Sequence, residues 1–305
     1  MLPSSQVLLT ALVADALCLG PHWIYDQEAI AQSCGGCTQF ADPVSAYHPG
    51  KQAGDFTHYG DQTLVLLRSL ARVGRFDVDE FAADWRGFWE DAATASYRDG
   101  ATRVTMENFR RGQNPAASPS GDIAGASRLA PLFLLAWDHP EALAAAARAQ
   151  AALTHGDPAV GEVAAYLAQV AWAVGGGSPI PEALRATAAQ AGWSIQLQSG
   201  LVAAGASSAA PCGDAAALTE HGLACGVREA FPALCHLLLR HPDGAAEALI
   251  ANAAAGGDSA ARGLLLGLVY GARPTAPLLP DVWTRGLRAA PEVAKGIAAV
   301  LALGQ

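Results

Sequence analysis

The chain has 305 residues, of which 51% are hydrophobic and only 15% are charged, so it is long enough to bury a large core. Its net charge of -9 argues against a nucleic-acid partner, since binding a phosphate backbone requires clustered lysines and arginines. The sequence contains no run of about 18 uninterrupted apolar residues, so no membrane span is predicted. The N-terminal residues lack the basic start of a signal peptide, so no signal peptide is predicted. Six scattered cysteines are typical of reduced thiols, so we expect a cytoplasmic protein.

The dominant pattern along the chain is helical. Alanine-rich apolar segments recur every three to four residues, and alternating β-branched runs are scarce. The first predicted helix covers residues 6–19 and ends at the breaker pair Gly20-Pro21. A helix starting near Val78 carries an aromatic face, which we interpret as core. The other predicted helices cover residues 61–73, 140–154, 158–174, 181–191, 215–224, 227–240, 243–254 and 259–272.

Two long polar segments, residues 33–57 and 112–127, interrupt the helical pattern. Loops of this length in a compact domain are usually functional. Within the first, Cys34 and Cys37 have the spacing of a redox pair or half a zinc site, but no second pair accompanies them, which favours a simple loop cysteine pair. We find no internal repeat and no interdomain linker, so we expect one all-α domain over residues 1–305.

Two acidic turns carry the clearest functional signal. Tyr59-Gly60-Asp61-Gln62-Thr63 and Gly256-Gly257-Asp258-Ser259 each place one carboxylate at the start of a predicted helix, beside hydroxyls and glycines. If the turns meet, Asp61, Thr63, Asp258 and Ser259 supply four oxygen ligands for a Mg²⁺ ion. The competing interpretation is that each aspartate only caps its helix, which stabilises it by ~1 kcal/mol. The glycines favour the functional interpretation, because they let a ligand approach the backbone closely.

Further polar residues occupy apolar or junction positions. Asp15 lies inside the first apolar helix, where it needs either a polar cavity or an ion-pair partner, and both interpretations stay open. His22, His58 and His155 lie at loop–helix junctions near the acidic turns, whereas His236 is typical of a satisfied core histidine. The sequence has no H-x-x-x-H or H-E-x-x-H spacing, so a zinc hydrolase is a weak hypothesis.

Five segments, in order, resemble the motifs of ADP-ribosylglycohydrolases. They are Ala14-Asp15-Ala16-Leu17, Gly60-Asp61-Gln62-Thr63, the segment 124–132, Thr154-His155-Gly156-Asp157-Pro158 and Gly256-Gly257-Asp258-Ser259. The resemblance implies an all-α, single-domain orthogonal helical bundle with the active cleft at one end. It also implies that two Mg²⁺ ions between the acidic turns orient an ADP-ribosyl ligand while an N- or O-glycosidic bond is hydrolysed.

The chain departs from the family pattern at its metal-binding turns. The family's Thr-Asp-Asp becomes Gly60-Asp61-Gln62, its second-turn Asp and Thr become Ala260 and Ala261, and a family glutamate falls near His22. Because carboxylate charge holds Mg²⁺, these losses predict that Mg²⁺ binds weakly or as a single ion. The altered pattern resembles the branch that contains jellyfish lens crystallins and related selenoproteins, for which family membership does not establish an activity.

Two functional hypotheses follow. The first is a glycosidase-like hydrolase of a ribosyl or ADP-ribosyl compound, in which Asp61 and Asp258 hold a metal or polarise water, and His22 or Asp15 assists proton transfer. The second is a non-catalytic ligand-binding or crystallin-like structural protein on the same fold. Neither hypothesis involves a nucleic acid or a membrane, and nothing in the sequence specifies an oligomeric state. Under the first hypothesis the substrate-binding residues are His58, Tyr59, Gln62, Gly125, Arg128, His155 and Arg262.

Overall fold

The computed structural model describes residues 4–275 and 279–303, so residues 1–3 of the N-terminal segment considered above lie outside it. Within the described residues the chain is helical, with loops and two isolated β-bridges, which confirms the predicted all-α, single-domain fold. Two short 3-10 helices cover Gly35–Cys37 and Ala130–Leu134. The α-helices are α1 Ser5–Cys18, α2 Gln27–Cys34, α3 His58–Val73, α4 Val78–Glu90, α5 Gly100–Arg110, α6 Ala124–Ser127, α7 Pro140–Ala152, α8 Pro158–Gly175, α9 Ile180–Ala188, α10 Ile195–Ala209, α11 Asp214–His221, α12 Val227–Arg240, α13 Ala245–Ala255, α14 Ser259–Gly271, α15 Asp281–Gly286 and α16 Ala290–Leu303.

Most predicted helices agree with the observed ones to within a few residues, but α2, α5, α6, α10, α15 and α16 are not predicted by the pattern. The reason is clearest for α5 and α10. Helix α5 contains β-branched residues, and α10 contains two glycines and three serines, so neither shows a clean apolar period. Helix α5 is instead fixed at its start by Asp99, whose carboxylate accepts a hydrogen bond of 2.6 Å from the Thr102 amide.

The start of α3 differs from the prediction in a way that matters for the site. The helix begins at His58 rather than Asp61, because the Thr57 hydroxyl accepts a hydrogen bond of 3.2 Å from the Tyr59 amide and acts as the N-cap. Asp61 therefore lies within the first turn and does not cap the helix. The aromatic face of α4 is core as predicted, with Trp85 and Trp89 fully buried.

The antiparallel pair of α1 and α14 forms the centre of the fold and places the ends that carry the acidic residues together. Three glycines on α14, four residues apart, let the two backbones approach closely. A Cβ at Gly267 would lie 2.5 Å from the Thr10 carbonyl oxygen, and one at Gly271 would lie 2.6 Å from that of Gln6. This contact sets the C-terminal end of α1, with Asp15, beside the N-terminal end of α14, with Asp258. None of the helices in the described ranges is long and apolar enough to cross a membrane.

Candidate functional site

Asp15 on α1 is completely buried and binds the start of α3. Its carboxylate accepts hydrogen bonds of 2.8 Å from the Thr57 amide and 2.6 Å from the Thr57 hydroxyl. Gly60 is needed here, because a Cβ at that position would collide with the Asp15 carboxylate. Burial raises the pKa of Asp15 to about 7, although both bonds from Thr57 oppose the shift. Asp15 thus links two helix ends, rather than forming the ion pair considered from the sequence.

Asp61 is paired with Lys51, a lysine that belongs to none of the sequence motifs. The Lys51 Nζ lies 2.8 Å from both carboxylate oxygens of Asp61, and both side chains are mostly buried. Lys51 comes from the long polar segment before α3, which therefore contributes a positive charge directly to the acidic turn. Within the described residues, no hydrogen bond or ion pair joins Asp61 to Asp258.

The neighbours of Asp61 on α3 face the protein interior. The Gln62 side-chain carbonyl accepts hydrogen bonds of 2.8 Å from the Trp85 indole and 3.1 Å from the Arg128 guanidinium. The Thr63 hydroxyl donates a hydrogen bond of 2.9 Å to the Tyr59 carbonyl, one turn back. Gln62 and Thr63 therefore hold the core together where the sequence pattern suggested ligand contacts.

Arg128 and His155 form a second buried polar group with Thr154. Arg128 donates to the Gln150 side chain at 2.9 Å and to the Thr154 hydroxyl at 2.6 Å, and burial lowers the pKa of its guanidinium to about 10. The His155 Nδ1 lies 2.8 Å from the same hydroxyl, and burial lowers its pKa to about 3. Gly125 leaves room for the His155 ring, which a Cβ would meet at 2.6 Å. The substrate-binding roles of these residues stay predictions.

Asp258 precedes α14 and is fully buried, but its side chain makes no capping hydrogen bond. Its Oδ1 lies 3.7 Å from the His22 Nδ1. Burial raises the pKa of Asp258 to about 7, although Arg262 opposes the shift, and burial lowers the pKa of His22 well below its usual value. The pair is therefore partly protonated and carries little net charge near neutral pH. Capping does not explain why a carboxyl group stands at this position.

Arg262 and Ser259 support the same turn. Arg262 donates hydrogen bonds of 3.0 Å to the Asn252 side chain and 2.6 Å to the Gly256 carbonyl, and is fully buried. The Ser259 hydroxyl is buried beside the Cys18 thiol, whose pKa burial raises. The turn itself is held by Gly257, whose backbone exchanges hydrogen bonds with Trp23 and Ile24 at 2.8 and 2.7 Å.

The glycines of this turn serve a purpose different from the one inferred from the sequence. Gly256 and Gly257 both have positive φ, and a Cβ at either position would collide with the carbonyl oxygen of Ile24 or Leu223. What approaches these glycines is the protein's own backbone, not a ligand. Their effect is to fix the loop after α1, and with it His22 and Trp23, against Asp258.

An aromatic pocket of about 320 Å³ opens beside these groups. Two carboxylates, Asp99 and Asp122, face it, and none of its lining residues is basic. Asp258 lies close behind its wall, since it contributes, after burial, to raising the pKa of both Tyr25 and Tyr59. The lining residues are Trp23, Tyr25, Tyr47, Tyr59, Tyr97, Asp99, Gly100, Asp122 and Cys225.

Asp99 differs in charge state from Asp258. Its Oδ2 lies 3.4 Å from the His58 Nε2. Burial opposes ionisation of Asp99, but His58 and the Thr102 amide outweigh burial and hold its pKa below the usual range. The region of the pocket therefore contains one carboxylate that is ionised and one carboxyl group, Asp258, that holds a proton up to about pH 7.

The four oxygen ligands proposed for Mg²⁺ do not fit that ion in this arrangement. The Lys51 ammonium occupies the face of the Asp61 carboxylate, and the Thr63 hydroxyl is bonded to backbone. Asp258 and Ser259 belong to a separate buried group with His22 and Cys18. Mg²⁺ needs several convergent, charged oxygens, and this chain presents one carboxylate on each side with a lysine already bound to one of them.

Five further residues contact or line the site without having been predicted from the sequence: Trp23, His48, Lys51, Asp99 and Asp122. Only Asp99 has a sequence signal, because an aspartate immediately before a helical segment indicates an N-cap. The others stand in loops, where a helical period cannot assign them a side of the molecule.

Comparisons with known proteins agree with the fold described above. The model of the family described as ADP-ribosylglycohydrolase matches residues 5–305. A solved structure described as an "ADP-ribosylglycohydrolase-related protein complex" is 22% identical, covers 99% of this chain and 97% of its own, and superposes with a TM-score of 0.72, which shows a shared fold. No curated protein sequence matches the chain. Since the family model spans nearly the whole sequence, the chain belongs to the ADP-ribosylglycohydrolase family.

Proposed function

We propose that the protein is a hydrolase that cleaves the glycosidic bond of a ribosyl or ADP-ribosyl compound in the aromatic pocket beside Asp258. The observation that carries the proposal is the composition of this pocket. Five aromatic residues form its walls, two carboxylates face it, and a buried Asp–His pair stands behind it. A structural protein does not need buried carboxyl groups at such a cost in stability.

The lining of the pocket suits the stabilisation of the positive charge that develops on the sugar during cleavage of a glycosidic bond. Aromatic walls suit stacking on a sugar or base, and Asp99 and Asp122 suit the positive charge that develops at the anomeric carbon. Because no residue lining the pocket is basic, the diphosphate of an ADP-ribosyl substrate would have to bind outside the pocket. Simple ribosides therefore belong among the candidate substrates.

The two carboxyl groups divide the chemical roles. Asp99, which lines the pocket, stays ionised and stabilises the sugar cation. Asp258, with a pKa of about 7, is the proton source for the leaving nitrogen or oxygen, and it acts through an intervening water because its carboxyl group lies behind the pocket wall. Water then adds to the anomeric carbon and returns a proton to the site. His22, which contacts Asp258, orients the carboxyl group. This assignment makes Asp99 a catalytic residue and gives Asp61 and Asp15 supporting positions.

The proposal needs no Mg²⁺, because Lys51 holds Asp61. It also places the protein in the cytoplasm, where its six cysteines, all of them free, would stay reduced. The similarity to the crystallin and selenoprotein branch rests on the two acidic segments alone. That branch supplies the competing outcome, a non-catalytic binding protein on this fold.

The test is hydrolysis of ADP-ribosyl-arginine, ADP-ribosyl-serine, poly-ADP-ribose and simple ribosides, each with and without added Mg²⁺. We expect turnover of at least one ribosyl substrate that does not increase with Mg²⁺, and a loss of about 10²–10⁴-fold in Asp258→Asn. Asp77→Asn is the matched control, since Asp77 is also at a helix start but lies away from the pocket. No turnover of any of these substrates by the wild type would contradict the proposal, and a thermal shift by ADP-ribose or ribose without turnover is the result expected of the non-catalytic binding protein.

A further inference from the structure

Three histidines meet beneath Trp23, each from a different part of the N-terminal region. His22 follows α1, His48 comes from the long polar segment, and His58 opens α3. Their ring centres are 5.4, 5.8 and 5.6 Å apart, which is nearly an equilateral triangle. One nitrogen from each ring lies within 4.8 Å of the others. Three imidazoles around one tetrahedral ion, with N–metal distances of about 2.0–2.1 Å, have ring centres about 5.2 Å apart, so the observed triangle needs only a small contraction.

The ring nitrogens of these histidines are buried without hydrogen bonds. His22 and His58 are fully buried and His48 is 3% exposed, and none of the six ring nitrogens has a hydrogen-bond partner among the described residues. Buried polar atoms in proteins are almost always bonded, so the ring nitrogens of this cluster that face no carboxylate are available as ligands. His155 and His236, also buried, both make hydrogen bonds and so lack this feature.

Two carboxyl groups stand outside the triangle in the positions expected around a metal. The His22 Nδ1 faces Asp258 at 3.7 Å, and the His58 Nε2 faces Asp99 at 3.4 Å. Histidine ligands usually present their second ring nitrogen to a carboxylate, which fixes the tautomer and orients the ring. This arrangement leaves the His22 Nε2 and the His58 Nδ1 for the metal. The positive groups nearest the triangle, Lys51 and Arg262, are themselves bound to Asp61 and to the Gly256 carbonyl.

We propose that His22, His48 and His58 form a nitrogen site for one divalent transition-metal ion of the Zn²⁺ class. Neutral imidazole is the ligand that Zn²⁺ and its neighbours prefer, whereas Mg²⁺ and Ca²⁺ prefer oxygen. With three protein ligands, the ion keeps a fourth position for water or another ligand, as in metal sites that act on substrates. The site uses none of the four oxygen ligands predicted for Mg²⁺.

Trp23 separates this triangle from the aromatic pocket. Its ring centre lies 4.5 Å from His22, 5.1 Å from His58 and 6.1 Å from His48, and its indole also lines the pocket. Trp23 has a φ of 62°, an unusual conformation for a large side chain that the bonds to Gly257 maintain. The metal would therefore lie directly behind the pocket wall, with the indole covering it.

The test is metal binding by the full chain, measured separately from hydrolysis. Protein freed of metal with a chelator is titrated with Zn²⁺ and with Co²⁺, and bound metal is determined by mass spectrometry. We expect one equivalent, a Co²⁺ visible spectrum of tetrahedral type, and no competition from excess Mg²⁺. His48→Gln should weaken Zn²⁺ binding by about 100-fold or more. His241→Gln is the matched control, since it removes a histidine that faces Asp214 at 2.8 Å outside the triangle, and it should bind as the wild type does.

X-ray absorption by the wild-type Zn²⁺ complex gives the ligands directly and does not depend on the folding of a variant. Three imidazole nitrogens are expected. A sulfur shell would instead locate the ion at Cys34 and Cys37, and an oxygen-only shell would locate it on carboxylates; either result overturns the proposal. Failure of the wild type to bind Zn²⁺ or Co²⁺, or unchanged binding in His48→Gln, also overturns it. None of these results depends on whether a ribosyl substrate is hydrolysed.

Discussion

The Lys51 ammonium lies 2.8 Å from each carboxylate oxygen of Asp61 and so holds the residue that the sequence pattern marks as a metal ligand. A lysine and a bound cation satisfy a carboxylate in the same way, by a positive charge at short range. The lysine is covalently attached and always present, so an added Mg²⁺ ion must displace it. The presence of Lys51 agrees with the weak Mg²⁺ binding predicted from Gln62 and Ala260, which stand where the family pattern has carboxylates.

Lys51→Met should increase the affinity of the protein for Mg²⁺. The substitution keeps the length of the side chain, removes the competing ammonium and leaves Asp61 without its partner. We expect roughly a tenfold gain, corresponding to about 1.4 kcal/mol. Calorimetric titration of the wild type and variant with Mg²⁺ measures it. Arg288→Met is the control, because it removes a positive charge that pairs with Asp55 in the same segment. Equal Mg²⁺ affinity in all three proteins would mean that Lys51 does not compete with the ion.

Asp258→Asn should stabilise the protein at high pH but not at low pH. Burial raises the pKa of Asp258 to about 7 from its usual 3.8, so between these values the folded protein keeps a proton that the unfolded chain releases. The free energy of unfolding of the wild type therefore falls as pH rises through this window, and the full decrease is reached above about pH 7. Asparagine does not ionise, so its unfolding free energy does not decrease in this way. We expect the variant to be more stable than the wild type by about 2–4 kcal/mol at pH 8 and about equally stable at pH 4.

Urea unfolding of the wild type and Asp258→Asn across this pH range is the measurement. Asp138→Asn is the control, since it alters an exposed aspartate and should change stability by less than about 0.5 kcal/mol at any pH. A difference between Asp258→Asn and the wild type that stays constant from pH 4 to pH 8 would show that Asp258 does not hold a proton in the folded state.

Gly267→Ala should destabilise the contact between α1 and α14. The new Cβ would lie 2.5 Å from the Thr10 carbonyl oxygen and 2.6 Å from the Ala11 Cα, both backbone atoms, so the helices must separate. We expect a loss of about 2–3 kcal/mol by chemical denaturation. Gly87→Ala is the matched control, because Gly87 lies on the exposed face of α4 with open space around it, and the substitution should stabilise the protein by about 0.5–1 kcal/mol. Equal effects of the two substitutions would contradict close packing of these helices.

Gln62→Leu should destabilise the core by about 2–4 kcal/mol. It removes the acceptor of hydrogen bonds from Trp85 and Arg128 and leaves a buried guanidinium short of a partner. Thermal unfolding measures the loss. Gln32→Leu, at an exposed position on α2 bonded to Glu28, is the control and should change stability little. An unfolding free energy for Gln62→Leu equal to that of the wild type would show that these two hydrogen bonds do not stabilise the core.

Local pattern was sufficient for the fold class because helical periodicity depends only on residues a few positions apart. Apolar residues at three-to-four spacing predicted α1, α4, α8 and α12 closely, and the glycine-rich ends of helices were found at their breakers. The local sequence pattern did not predict α10, because the glycines and serines of this helix leave it without a clear apolar side. There the helix forms because α12 packs against one side of it.

The sequence by itself determined that the chain is an all-α member of one family and that Asp15, Asp61 and Asp258 are unusual for their surroundings. Only the tertiary structure decided their partners. Asp15 binds Thr57, Asp61 binds Lys51 and Asp258 faces His22, and all three partners stand in loops or turns outside the helices. A loop residue has no period that fixes its direction, so its contacts follow from the path of the whole chain. For the same reason the triangle of His22, His48 and His58 has no sequence spacing typical of a metal site and exists only in the folded protein.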